Sequence, residues 1–124
     1  MDTANVRWPD SLWAAVTPPG PQLPELEGDA QADVIVIGGG FTGLSSALHL
    51  REAGVDVAVI EAMEPGWGAS GRNNGQVIPT LSRPDPEDII RNHRAAGERF
   101  VALLRDSASI LFGVARRYQI KAEQ

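Results

Sequence analysis

Two short apolar runs stand out along the chain, at 34–37 and at 55–60, where Asp56 is the single polar residue. Both are rich in β-branched side chains, which is typical of parallel strands buried on both faces. Between them, apolar residues recur every three or four positions over 41–53, as in an amphipathic helix, and Gly54 is placed as a C-terminal cap. The pattern predicts a strand–helix–strand unit.

The second half of the chain has a different periodicity. Asp85 is a good N-cap, and the Pro86 that follows is favoured in the first turn of a helix. Apolar residues then recur at helical spacing over about thirty residues, namely Ile89, Ala96, Phe100, Leu103, Leu111, Val114 and Tyr118. We therefore expect one long amphipathic helix, preceded by a possible third strand at 76–81.

The first 32 residues show no sustained periodicity and form the predicted N-terminal arm. A short helix is possible over 11–15, and the prolines that follow favour extended backbone. Trp8 and Trp13 are large apolar groups on this polar arm, so we expect the arm to pack against the domain.

These elements predict an α/β fold, a truncated Rossmann-like βαβ unit with a parallel sheet followed by a long helix. The expected organisation is an arm over 1–32 and a dinucleotide-binding domain over 33–124. Two or three strands are fewer than a typical sheet contains. We therefore expect the N-terminal part of a longer protein, which does not fold alone.

Three glycines follow the first strand at the spacing G-x-G-x-x-G: Gly38, Gly40 and Gly43. The unpaired amides of a helix N-terminus attract a diphosphate, and glycine allows the backbone to approach it closely. Glu61 follows Gly38 by 23 positions, near the offset expected for an acid that binds ribose hydroxyls and disfavours a 2′-phosphate. The turn predicts a dinucleotide site.

Residues 65–75, called here the glycine-rich loop, contain four glycines in eleven positions. Ser70, Arg72 and Asn73 add hydrogen-bonding side chains. The loop could return toward the phosphates and place Arg72 and Asn73 over the cofactor, or it could be a flexible surface loop. Its composition leaves both interpretations open.

Composition excludes several other functions. The chain has no cysteine, which excludes disulfides and thiolate chemistry, and a net charge of −5 gives no support to nucleic-acid binding. His49 and His93 lack neighbouring ligands at metal-binding spacing, so no metal site is expected. No apolar run is long enough to cross a membrane, and the acidic N-terminus is unlike a secretory signal, which predicts a cytoplasmic location.

The segments ADVIVIGGGFTGLSSALHLREAGVDVAVIEA and GWGASGRNNGQVIP resemble the N-terminus of FAD-dependent oxidoreductases of the D-amino-acid oxidase family. The N-terminal arm is similar to the subgroup that includes gamma-glutamylputrescine oxidoreductases. The resemblance implies oxidation of a small-molecule amine or amino acid by hydride transfer to the flavin. Some members attach FAD through a histidine near this loop, where this chain has Arg72, so non-covalent FAD is expected.

The resemblance also implies a set of cofactor-binding residues. The set comprises Gly38, Gly40, Phe41, Thr42, Gly43, Glu61, Ala62, Ser70, Gly71, Arg72, Asn73 and Gly75. Catalytic residues of the family lie largely beyond position 124, so no acid, base or nucleophile is assigned, and neither is an oligomeric state. Two alternatives stay open: a dinucleotide-binding fragment without catalysis, and an NAD-dependent dehydrogenase that uses the same turn.

Overall fold

The computed structural model describes residues 8–81 and 83–122. They divide into two compact units, the first ending at Asn74 and the second beginning at Gly75. The elements in chain order are α1 (Leu12–Val16), β1 (Val34–Ile37), α2 (Phe41–Glu52), β2 (Val57–Ile60) and α3 (Pro86–Arg117), with a short 3₁₀ turn at Ala69–Gly71. The predicted α/β fold is confirmed.

The first unit is built on a two-stranded parallel sheet. Val34 lies opposite Val57 and Ile37 lies opposite Ile60, in the parallel register expected of a β-α-β unit. The ladder continues one residue further, because the Gly38 amide donates to the Ile60 carbonyl at 2.8 Å. Gly38, the first glycine of the turn, is therefore fixed to the end of β2.

Helix α2 covers one face of this sheet. Val36 of β1 points toward the helix, since its Cγ1 lies 3.2 Å from where a Cβ on Gly43 would be. Side chains alternate along a strand, so Ile35 and Ile37 share the opposite face, where they are 51% and 88% exposed. The expectation of strands buried on both faces is therefore wrong for the described residues, because the single crossover helix covers only one face.

The C-terminus of α2 is a Schellman motif. The Gly54 amide donates to the Arg51 carbonyl at 3.0 Å, and the Val55 amide donates to the Leu50 carbonyl at 3.0 Å. Gly54 has a φ of 83°, which an L-residue with a Cβ adopts at a cost. The predicted cap at Gly54 is confirmed, and the chain turns directly into β2.

The second unit is dominated by α3, whose predicted start is confirmed. Asp85 is the N-cap, and its Oδ1 accepts a hydrogen bond from the Glu87 amide at 2.8 Å. The helix is not continuous, however, because Arg94 has φ 49° and ψ −128° and bends the chain sharply. A Cβ on Gly97 would lie 2.5 Å from the Ile89 carbonyl oxygen, so the two segments touch at this glycine.

The possible third strand at 76–81 is wrong. The described residues of this segment form no strand, and the sheet consists of β1 and β2. Val77 and Ile78 are 37% and 62% exposed. An apolar pair without a neighbouring strand edge has no ladder to join, so hydrophobicity alone does not make this segment a strand.

Candidate functional site: a glycine turn closed by an acid and a loop

The glycine turn between β1 and α2 requires glycine for two different reasons. Gly38 has a φ of 103°, outside the range that other residues adopt readily. A Cβ on Gly43 would lie 2.0 Å from the Gly38 carbonyl oxygen, so this position requires glycine for close packing of helix on strand. Gly40 is the N-cap of α2 and has no side chain to close the helix end. The amides of the first helical turn therefore need partners from elsewhere.

Glu61 closes the turn from the end of β2. Its Oε2 accepts a hydrogen bond from the Gly39 amide at 2.5 Å, and its Oε1 accepts one from the Met63 amide at 3.0 Å. The Gly39 amide, followed by the Met63 amide, holds the pKa of the Glu61 carboxyl below its ordinary value. The side chain is a carboxylate at neutral pH, and each oxygen keeps a lone pair for a further donor.

The glycine-rich loop returns to the same turn. The Gly66 amide donates to the Gly39 carbonyl at 2.9 Å, with Gly66 at a φ of 82°. The Ser70 Oγ accepts a hydrogen bond from the Phe41 amide at 3.0 Å, in the first turn of α2. Ser70 thus supplies the capping oxygen that Gly40 lacks, and its hydroxyl proton remains available to an anion at this helix end.

The remaining polar residues of the loop bind the loop itself. The Arg72 Nε donates to the Gly68 carbonyl at 3.1 Å, and the guanidinium carbon lies 5.2 Å from the centre of the Trp67 ring, within cation–π range. The Asn73 Nδ2 donates to the Ser70 carbonyl. The Trp67 Nε1 is buried and has no hydrogen-bond partner among the described residues. The loop is an organised structure in this unit, and the interpretation as an unstructured surface loop is not supported.

The described part of the turn can accommodate a diphosphate. Only the Phe41 amide of the first helical turn has a side-chain partner within the described residues, whereas the Thr42 and Gly43 amides have none. A helix N-terminus carries roughly half a positive charge, so these amides favour an anion. A Cβ on Gly40 would lie 2.9 Å from the Ser70 Oγ, so an added methyl group would push this hydroxyl away from the helix end.

The structure brings most of the predicted site residues into one unit. Gly38, Gly40, Phe41, Gly43, Glu61 and Ser70 are joined through the contacts just described. Thr42 and Ala62 are exposed neighbours of the turn, and Arg72 and Asn73 bind within the loop rather than to the turn. Gly75 has a φ of 73° and belongs to the second unit, so it is not part of this group.

Sequence reasoning missed Gly39. A Cβ there would lie 3.2 Å from the Glu61 Oε2 and 3.2 Å from the Pro65 Cα, and the Gly39 backbone binds both the acid and the loop. Gly39 lies between two glycines of the G-x-G-x-x-G motif, which was a signal in the sequence. The motif assigns no role to this position, however.

Two further kinds of site are absent from the described ranges, 8–81 and 83–122. No helix there is long and apolar enough to span a membrane. No group of three or more His, Asp or Glu side chains in those residues could hold a metal ion.

The known proteins that this chain resembles are consistent with a dinucleotide site at the glycine turn. Residues 33–123 match the model of the DAO family, described as FAD dependent oxidoreductase. The chain is 46% identical over 92 residues to the gamma-glutamylputrescine oxidoreductase of Escherichia coli K12, covering 73% of this chain and 21% of that protein. It is 48% identical over 66 residues to the probable oxidoreductase OrdL of Rhizobium meliloti, covering 53% of this chain and 15% of that protein.

A third relative is the D-amino acid dehydrogenase of Methylobacterium radiotolerans, 45% identical over 53 residues, which are 41% of this chain and 12% of that protein. The chain thus spans about a fifth or less of the length of these relatives. No solved structure matches it significantly. Since the family match covers nearly the whole sequence beyond the arm, the chain belongs to the DAO family of FAD-dependent oxidoreductases.

Proposed function

We propose that this chain is the FAD-binding N-terminal part of a longer oxidoreductase that oxidises an amine or an amino acid. The observation that carries the proposal is the closed turn, in which the Thr42 and Gly43 amides at the start of α2 have no side-chain partner among the described residues and Glu61 is fixed to the Gly39 amide. Family membership supplies the cofactor class, and the turn supplies residues that fit it.

In this proposal the N-terminus of α2 binds the diphosphate. The Thr42 and Gly43 amides donate to it, and the Ser70 hydroxyl donates as well while still accepting from Phe41. Gly38 and Gly40 keep the approach open because neither has a Cβ. Gly71 is required by packing, since a Cβ there would lie 2.2 Å from the Gly66 carbonyl oxygen.

Glu61 binds the ribose of the adenosine through its remaining lone pairs. Its lowered pKa keeps it an acceptor at neutral pH, and its charge disfavours a cofactor with a 2′-phosphate. Ala62, Arg72 and Asn73 complete the proposed cofactor set in the first unit, and the loop contains no histidine for covalent attachment. The FAD is therefore proposed to be non-covalent.

The substrate class is proposed from two relatives whose names specify gamma-glutamylputrescine and D-amino acids. A bound FAD would supply the hydride acceptor for oxidation of the carbon that bears the substrate's amine. The residues of this chain bind and orient the cofactor, and none is proposed as an acid or a base.

The exposed face of the sheet supports a longer protein. Ile35 and Ile37 share that face, and parallel sheets are covered on both sides in proteins that contain them. We propose that further elements of the parent protein cover these residues.

An absorption spectrum of the purified full-length protein, taken before and after acid precipitation, tests the proposal. Flavin bands that move to the supernatant are expected. Bands that stay with the pellet would contradict non-covalent binding. Absence of flavin even after incubation with FAD would refute the cofactor proposal and leave a dinucleotide-binding fold whose ligand is unknown.

Competition between FAD and NAD separates the proposal from an NAD-dependent dehydrogenase. Displacement of bound FAD by NAD at comparable concentration would favour the dehydrogenase. The Gly40→Ala variant should weaken FAD binding about tenfold or more, because the added Cβ would displace the Ser70 hydroxyl that is proposed to donate to the diphosphate. Gly113→Ala is the matched control, since a Cβ there meets nothing within 4 Å.

A further inference from the structure

The N-terminal arm contacts the glycine-rich loop through two tryptophan side chains. The Trp8 Nε1 donates to the Glu64 Oε2 at 2.9 Å, and the Trp13 Nε1 donates to the Asn73 carbonyl at 2.6 Å. The Trp8 ring also lies 3.5 Å from where a Cβ on Gly71 would be. The arm therefore holds the loop close to both of its ends.

These contacts give the arm a structure that its sequence would not maintain alone. Helix α1 has only five residues, with Ser11 as its N-cap, and a helix of this length is unstable in isolation. The arm residues beyond it, from 18 to 31, are exposed. The indole contacts with the loop are what fix α1 in place.

A continuous series of hydrogen bonds runs from the arm to the glycine turn. Trp13 binds the Asn73 carbonyl, and the Asn73 side chain binds the Ser70 carbonyl. The Ser70 Oγ in turn accepts from the Phe41 amide at the start of α2. Each link fixes the next residue, so the position of the Ser70 hydroxyl depends on the arm.

We propose that Trp13 is a positioning residue for the FAD site and acts through Asn73 to hold Ser70 at the N-terminus of α2. This inference rests on the proposed FAD site for its effect on affinity. The ordering of the loop by the arm does not require any cofactor.

The first test measures the loop in the protein without FAD. Trypsin cleaves after arginine, and the Arg72–Asn73 bond directly precedes the carbonyl that Trp13 holds. In the full-length protein, Trp13→Phe keeps an apolar ring but removes the donor, and it should speed cleavage at this bond about three- to tenfold. Leu12→Ala, on the same helix and 67% exposed, is the control and should leave the rate unchanged.

The second test measures the dissociation constant for FAD by ultrafiltration and flavin fluorescence. Trp13→Phe should raise it about three- to tenfold. In an Asn73→Ala background the same substitution should have almost no further effect, because the link to Ser70 is already broken. Additive losses would overturn the mechanism, since an arm that merely stabilises the fold would act independently of Asn73.

Unchanged cleavage at Arg72–Asn73 in Trp13→Phe would overturn the inference whatever the protein's affinity for FAD. If the protein binds no FAD but cleavage accelerates as expected, the proposed function fails while the ordering of the loop by the arm stands. If Trp13→Phe does not fold, Asn73→Ala replaces it in the FAD measurement, because it breaks the next link of the same series. An unchanged dissociation constant for FAD in Asn73→Ala would then overturn the inference.

Discussion

The two compact units differ in whether the residues with positive φ, the conformation that favours glycine, are glycines. Among the described residues up to 74, every residue with positive φ is a glycine. Gly38 follows the end of β1, Gly54 follows the end of α2, and Gly66 lies in the glycine-rich loop. In the described residues from 75 onward, Arg94 and Gln119 have positive φ without being glycine. The first unit therefore encodes its turns in its sequence. The second has two strained positions, Arg94 and Gln119, which surrounding packing must maintain.

The largest effect that separates the two units is expected at Gly43. A Cβ there would lie only 2.0 Å from the Gly38 carbonyl oxygen, and moving this backbone atom away would cost free energy. Gly43→Ala should destabilise the first unit by about 3 kcal/mol or more, near the upper end for overpacked sites. Hydrogen–deuterium exchange in peptides from residues 33–62 of the full-length protein measures the loss.

Gly113→Ala is the control for this change. It makes the same substitution inside a helix in open space and should stabilise α3 by about 1 kcal/mol through helix propensity. Protection of the 33–62 peptides that is equal in Gly43→Ala and the control would contradict the close packing of α2 on β1.

The next effect is expected at Gly97, where the bend at Arg94 brings two helical segments together. A Cβ on Gly97 would lie 2.5 Å from the Ile89 carbonyl oxygen. Gly97→Ala should cost about 1–3 kcal/mol although alanine is the better helix former. Exchange in peptides from α3 measures it. A stabilised α3 would show instead that the helix is straight, as its periodicity alone predicts.

The bend shows what the sequence could not specify. The spacing of apolar residues predicted the start of α3 and its length, because those depend on a local cap and a local period. Arginine is not a residue type that breaks helices, so nothing in the local sequence marks the bend at Arg94. Its conformation depends instead on contacts between positions such as Ile89 and Gly97.

The candidate site divides in the same way. The turn glycines and Glu61 were predicted because their spacing along the chain is fixed by the βαβ unit. Packing of the arm was predicted from its tryptophans and is confirmed, but its partners Glu64 and Asn73 were not. Those partners lie 56 and 60 residues away, and no local pattern records such a contact.

Glu61→Gln should have a smaller effect of about 1–2 kcal/mol. The carboxylate accepts from two amides, whereas glutamine has one oxygen and must turn its NH₂ toward the second N–H. The loss should be visible as faster exchange of the Gly39 and Met63 amides. Unchanged exchange at both would contradict the closed turn.

The cost of Glu61→Gln should also depend on pH. The pKa of Glu61 is lowered in the folded protein, so its contribution is present above the unfolded pKa of about 4.3 and is lost as the pH falls through the folded value. The difference between the variant and the unaltered protein should therefore stay constant near neutral pH and shrink below about pH 4. A difference that grows on acidification would show that the carboxyl is not held ionised by these amides.

The smallest effect is expected at the C-terminal ends of α2 and α3. Helix α3 also ends in a Schellman motif, in which the Ile120 amide donates to the Ala115 carbonyl at 2.8 Å and the residue before it, Gln119, has a φ of 53°. Gly54 has the equivalent place after α2. Gln119→Gly should therefore stabilise the end of α3 by about 0.5–1 kcal/mol, because glycine adopts this conformation without strain. Gly54→Gln should cost a similar amount in the first unit. If exchange at the C-terminus of α3 instead became faster in Gln119→Gly, the Gln119 side chain would be stabilising the cap by more than its backbone strain costs, and the contrast between the two units would not extend to their helix ends.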